Sequence, residues 1–201
     1  MTEIVSRRER KKEETRHRIF HVAIDLFREK GFEQTTVDDI TEKADVAKGT
    51  FFNYFHHKEA VFAYLSEERL AVIEEKMGAL LAEDRSAIEK LLEVYMMAAS
   101  NYEEDAELAR FVLHELMRRA YGPDEEMALR WHAIIQRLVE QGQERGEIRR
   151  GIPFERLEGV LGCIFHGTIF QWVHRYCVPD NFSLLPELRA RLTLVMEGLA
   201  S

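Results

Sequence analysis

Between Thr35 and Lys58 the chain reads TTVDDITEKADVAKGTFFNYFHHK. The side chains here that could do chemistry are hydrogen-bonding groups and cations, not nucleophiles. Asn53 offers the paired donor and acceptor that grip an adenine edge bidentately, and Phe52 could lie against a thymine methyl or a sugar. Lys48 and Lys58 carry charge of the kind that neutralises phosphates. Thr36 stands at a helix start, where backbone N–H groups favour an anion such as a phosphate. Gly49 belongs to the same face, with Thr50 and Tyr54 at its edge. This is the equipment of a nucleic-acid reader.

Other constellations point elsewhere with less force. His17 and His21 are spaced i, i+4, but no Cys or acidic set completes a metal-ligand pattern, and a solvated basic helix is the expectation. Cys163-x-x-His166 and His174-x-x-Cys177 lie on one helix with centres about 16 Å apart at 1.5 Å per residue. They cannot share an ion without another helix or subunit. Two cysteines are too few for a disulfide framework. There is no glycine-rich phosphate loop and no Ser or Cys nucleophile motif. Neither an enzyme nor a metal or cofactor is expected.

The elements that must hold the reader in place follow from periodicity. Ile19, Val22, Ala23, Leu26 and Phe27 keep the rhythm of one helix face, and Gly31 is a natural C-cap. Thr36-Val37-Asp38-Asp39 reads as an N-cap with an acidic first turn. A short helix through Ile40 and Ala44, a turn at Asp45-Val46 and a second helix from Lys48 to Phe55 make a helix-turn-helix. Phe51 and Phe55 should point inward with Val46. A long helix is predicted from Lys58 to about Leu81, and Ser86 to Glu89 is a capping box. Further stripes run through Ile88–Ala99, Leu108–Leu116 and Met127–Leu138. Pro153 suits a first helical position, the segment from Phe154 to Tyr176 reads as buried on most sides, and Pro179 to Pro186 reads as a loop. Nothing shows a strand period. The predicted fold is all-α: an N-terminal three-helix domain carrying the helix-turn-helix, then a C-terminal helical bundle domain.

Two features of that bundle suggest partners. Tyr95, Met96, Phe111, His114, Met117, Trp131, Phe165 and Phe170 could line a cavity for a small apolar or aromatic ligand, with plain bundle core as the competing reading. Leu185, Leu188, Leu192, Val195 and Leu199 recur at heptad-like spacing. With Leu161 on the preceding helix, Leu188, Leu192, Val195 and Leu199 are expected to form a dimer interface.

Charge is segregated. The 201 residues carry a formal net charge of −8, which excludes a uniformly basic histone-like protein. Residues 1–58 hold 12 Lys/Arg against 11 Asp/Glu, and the remainder holds 16 against 25. A near-neutral head with a basic tip, Arg7 to Arg18, thus precedes an acidic body. The N-terminus lacks the apolar stretch of a signal peptide, and the longest uncharged run, Gly159–His174, is shorter than the ~20 apolar residues a membrane span requires. No membrane association and a cytoplasmic location are expected.

The whole string resembles the N-terminal domain of the TetR family of transcriptional regulators. The matching residues are Thr35, Thr36, Ile40, Ala44, Val46, Gly49, Thr50, Phe51, Phe52, Tyr54, Phe55, Lys58 and Glu59. Phe20, Ala23, Phe27, Gly31 and Phe32 match the family's first helix. Asp45 replaces the usual turn glycine, and Asp tolerates the left-handed backbone. Ala47 replaces a common serine and loses a side-chain cap. The resemblance implies a DNA-binding domain over 1–57 and a ligand-binding and dimerisation domain over 58–201. It also implies a homodimeric repressor on a palindromic double-stranded DNA operator, released when a ligand moves the helix after the head. The alternative is a helical sensor or structural protein without operator recognition. An affinity ratio of ~10³ or more over random DNA at physiological salt separates the two.

Overall fold

The computed structural model describes residues 6–103, 109–110, 126–176, 178–179 and 181–199. Among these it forms eight α-helices and no strand: α1 Arg7–Lys30, α2 Val37–Lys43, α3 Lys48–Tyr54, α4 Ala60–Ala82, α5 Ala87–Glu103, α6 Glu126–Glu144, α7 Phe154–His174 and α8 Leu184–Leu199. The chain divides into two compact units, Met1–Leu65 and Ser66–Ser201. The division falls inside α4, whereas the expected domain boundary at 57/58 precedes that helix.

In the first unit α1 opens with a capping box. The Glu9 N–H donates to Ser6 Oγ at 3.2 Å and the Ser6 N–H to Glu9 Oε2 at 2.9 Å. It closes at Gly31, whose φ of 84° only glycine adopts freely and whose N–H donates to the Phe27 carbonyl. Helices α2 and α3 have seven residues each, too few to persist alone. An aromatic core supports them. Phe27, Phe32 and Phe62 pack with centroids 4.9–5.3 Å apart, Phe20 meets Tyr64 at 5.0 Å, and Phe51 meets Phe55 at 5.7 Å. Asp45 takes φ 52° between α2 and α3, as its residue type allows.

In the second unit α5 packs on α6, α7 and α8, and α7 packs on α6 and α8. The Ser86–Glu89 capping box forms, with the Glu89 N–H on Ser86 Oγ at 3.1 Å. Gly142 on α6 is a close approach: a Cβ there would come within 2.7 Å of Ile148 and 2.9 Å of Ala87. The end of α4 is tied by an unusual donor. Lys90 is completely buried. Its ammonium donates to the Glu83 carbonyl at 2.6 Å, Gln141 Oε1 at 2.9 Å and the Leu81 carbonyl at 3.3 Å. Gln141 Nε2 adds a bond to Leu81 at 3.0 Å, so α4, α5 and α6 meet at one polar node.

Several expectations are corrected here. Leu161, Leu188 and Leu192 are fully buried, packed inside their own subunit, so they present no apolar surface to a dimer partner. Val195 is half-buried, and the Leu199 side chain lies outside those described. The buried stripe of α8 is Leu184, Leu188, Leu192 and Met196. Helix α7 is not buried on most sides: Gly159, Val160, Cys163, His166, Gly167 and Phe170 form a continuous exposed face. Pro153 is the N-cap residue of α7 and not its first helical residue. The predicted 179–186 loop is shorter, because Pro186 sits in the first turn of α8, where its missing N–H costs nothing.

Lys90→Met keeps the aliphatic stem and removes the donors from a buried node. It is expected to cost about 1–3 kcal/mol, read as a lower urea midpoint at constant m-value. An unmoved midpoint would show that the freed carbonyls are satisfied without it.

Candidate functional site

The two faces of α3 separate cleanly. Phe51 and Phe55 are buried, with Val46 half-buried beside them, while Lys48, Gly49, Phe52 and Asn53 are exposed and Thr50 and Tyr54 lie half-buried at the edges. Phe52 leaves 41% of its surface in solvent, a cost the first unit has no packing reason to carry. Ala47, the N-cap of α3, supplies no side-chain bond. The Lys48 ammonium lies 2.7 Å from Asp38 Oδ1, but both groups are well exposed. Such a pair is weak and exchangeable, so a phosphate can displace the carboxylate.

Thr36 and Lys58 have internal duties that the sequence reading assigned to phosphate. The Thr36 hydroxyl donates to Asp39 Oδ2 at 2.6 Å, its N–H donates to the same oxygen at 2.7 Å, and the Asp39 N–H returns to Thr36 Oγ1 at 3.1 Å. The Lys30 ammonium, 2.7 Å away, and then the Thr36 donors hold the Asp39 carboxyl well below the usual carboxylate range. A fixed anion therefore already occupies the α2 N-terminus, and both Thr36 donors are spent on it. Lys58 donates to the Phe32 carbonyl at 2.8 Å and the Thr35 carbonyl at 3.2 Å, above the Phe32 ring at 4.2 Å. It fastens the α1–α2 loop, along with the buried Thr35 hydroxyl, which donates to Gly31 and Leu26. In the free protein its ammonium is engaged by that loop.

In the basic arm, Arg7, Arg8, Arg10, Lys11, Lys12 and Arg18 are exposed. Arg16 instead stacks over Tyr64 at 4.1 Å, and the Tyr64 hydroxyl donates to Glu13 at 3.0 Å. The sequence reading missed this clasp and the Asp39 box. The Thr36-x-x-Asp39 spacing carries the signal for the box, while the clasp joins residues 51 positions apart and leaves no local signature.

Within the second unit, part of the expected cavity lining does converge. Tyr95 lies 5.4 Å from Trp131 and 5.5 Å from Phe165, and Trp131 and Phe165 stack at 6.3 Å. Met96 is half-buried. Phe170 does not join them: it is 47% exposed, on the open face of α7, beside His174 at 4.6 Å. Phe111, His114 and Met117 lie outside the described residues. The Tyr95 hydroxyl is buried without a hydrogen-bond partner among the described residues. Burial, and secondarily the charge of Glu158, push its ionisation well above the ordinary phenol range. Glu158 pairs with His132 at 3.2 Å and lines an open groove of about 300 Å³ with Leu129, His132, Phe154 and Glu155.

Among the described residues no three His, Cys, Asp or Glu side chains converge as metal ligands. The His17 and His21 rings meet edge-on at 4.3 Å, Cys163 is exposed and Cys177 lies outside the described residues. No described helix is long and apolar enough to cross a membrane.

The two lysines should now behave differently. Lys48→Ala is expected to flatten the log-affinity versus log-salt slope for DNA by ~1 with little change in stability. Lys58→Met is expected to leave the slope alone and lower the thermal midpoint. A slope change in Lys58→Met at unchanged midpoint would return that residue to the phosphate contacts.

Comparison with known proteins agrees with this geometry. Residues 19–65 match the model of the tetR family of bacterial regulatory proteins. The fatty acid metabolism regulator protein of Bacillus subtilis is 26% identical over 184 residues, covering 90% of this chain and 93% of that protein. The crystal structure of Bacillus subtilis FadR with stearoyl-CoA is 25% identical, with TM-score 0.72, over 91% of this chain and 98% of that one. The structure of Thermus thermophilus FadR, a TetR-family transcriptional repressor captured with lauroyl-CoA, is 30% identical with TM-score 0.71. It covers 91% of this chain and 94% of that one. With the exposed α3 face and the short-helix pair behind it, this near-full-length likeness makes the chain a member of the TetR family of DNA-binding transcriptional regulators.

Proposed function

We propose that this regulator is a cytoplasmic homodimeric repressor that leaves a palindromic operator when a long-chain acyl-CoA enters its second unit. The observation that carries the ligand class is the 30% identity, over nearly the full length, to a repressor captured with lauroyl-CoA. The Tyr95–Trp131–Phe165 cluster supports it, since aromatic walls suit an acyl chain. In this reading the first unit binds DNA and the second binds ligand and partner. Lys48, Gly49, Thr50, Phe52, Asn53 and Tyr54 contact DNA, and Asn53 reads a base.

The physical link available is α4. Arg130, next to Trp131, donates through Nε to Glu74 Oε1 at 2.9 Å and pairs through Nη2 with Glu74 Oε2. A ligand that displaces Trp131 therefore pulls on α4, whose first turn belongs to the DNA-binding unit. Dimers of this kind need half-sites about one helical turn apart, ~34–36 Å, so a small change in head separation costs affinity. Because linkage is reciprocal, operator DNA must weaken acyl-CoA binding by the same factor. Lauroyl- or stearoyl-CoA is expected to lower operator affinity at least tenfold in fluorescence anisotropy. Binding of either without loss of operator affinity would sink the release mechanism.

The dimer face we assign is the open side of α7 with α8: Val160, Cys163 and Phe170, and Leu194 at 72% exposure. A Cβ on Gly159 or Gly167 would meet open space, which leaves room for close helix approach. Val160→Asp with Leu194→Asp is expected to give a folded monomer by sedimentation and to abolish palindromic operator binding. Leu192→Asp should instead unfold the subunit. A Val160→Asp/Leu194→Asp protein that remains dimeric would place the seam elsewhere.

A further inference from the structure

Among the described residues, one buried side-chain polar atom lacks a hydrogen-bond partner: the hydroxyl of Tyr95. The other buried polar side chains are provided for. Lys90 has three acceptors, Thr35 two, and the hydroxyls of Thr41 and Thr168 donate to Asp38 and Ile164. An unmet buried hydroxyl is destabilising, and phenylalanine would fill the same space without that cost. A tyrosine at this position points to a partner in another state of the molecule.

The surroundings define that partner. The Tyr95 ring touches Trp131 and Phe165 and is wholly enclosed. Leu91, Val94, Ile135 and Leu161 are buried on the same three helices. The hydroxyl stays protonated, so it acts as a donor and needs an acceptor. The titratable group in electrostatic reach is Glu158, already paired with His132. A carboxylate placed there would be repelled by the Glu158 charge. A neutral carbonyl would not.

We infer that Tyr95 is the polar anchor of the effector site, its hydroxyl donating to the thioester carbonyl of a bound acyl-CoA. This rests on the acyl-CoA reading above and adds to it the atom that is recognised. Because the hydroxyl is sealed in the free protein, its partner arrives only when α5, α6 and α7 part. Binding and rearrangement are then a single event.

The experiment compares lauroyl-CoA with S-dodecyl-CoA, the thioether that lacks only the carbonyl oxygen, by calorimetry on the full chain and on Tyr95→Phe. The wild type should bind the thioester roughly 5- to 30-fold tighter than the thioether, the span expected of one hydrogen bond. Tyr95→Phe should bind both with the thioether's affinity. Its thermal midpoint without ligand should equal or exceed the wild type's, because an unmet hydroxyl has been removed. A wild type that does not distinguish the two compounds overturns the inference without any variant. So does a Tyr95→Phe that keeps the thioester preference, or one whose free form melts lower. In each of those cases the acyl-CoA reading survives. A wild type that binds neither compound removes that reading, and the anchor with it.

Discussion

A recognition helix of seven residues has no stability of its own, and the first unit is organised around that constraint. Helix α3 exists because Phe51 and Phe55 are held in an aromatic core built from α1 and the start of α4. Anchoring two positions i and i+4 on one side leaves the opposite side free by geometry, and there Lys48, Gly49, Phe52 and Asn53 emerge. The loop before α2 is under the same discipline: Thr35 and Lys58 satisfy its carbonyls from within. Thr36 and Lys58, which look available for phosphate in a linear reading, thus also tie down the segment that carries α2, whereas Lys48 stays exposed.

The second unit works on a different balance. Its acidic composition makes it a poor surface for DNA, and its polar groups serve connection. The Lys90–Gln141 node and the Arg130–Glu74 pair both end on α4. One fixes its C-terminus to α5 and α6, and the other holds its middle to α6. Both ties lie within the second unit, so a rearrangement around Trp131 would bear on α4 there.

How far the sequence was legible depends on the range of each interaction. The Ser86–Glu89 capping box, the Gly31 C-cap, the left-handed Asp45 and the two faces of α3 are decided within four residues and were readable, while the Ser6–Glu9 and Thr36–Asp39 boxes, equally local, went unread. The stripe on α8 shows the limit. Its spacing states correctly that the helix has an apolar face, but not whether its own bundle or a second copy covers it. Leu188 and Leu192 are covered from within, and the candidates for a partner are Val160, Phe170 and Leu194, one register over on the open faces. Phe170 was misassigned for the same reason: on a helix rich in apolar residues, periodicity cannot choose between two apolar sides. The Lys58 role needed contacts 23 and 26 residues away, and no local pattern encodes them.

The energetics of release can be built from these parts. Coupling between effector and operator in such systems is typically about 1–3 kcal/mol per pair of sites. That is also the cost of one unmet hydrogen bond in a dry core. A bundle that encloses the Tyr95 hydroxyl without an acceptor is already raised by that amount relative to a state that offers one. If the proposed anchor holds, a ligand would not have to force the helices apart against a fully satisfied core, because the hydroxyl would gain its carbonyl in the rearranged state. In a two-fold dimer the term counts twice, and a few kcal/mol spans the hundredfold to thousandfold change in operator affinity that a switch requires. The imperfection in the core of the free protein is therefore where differential binding to its two states would originate.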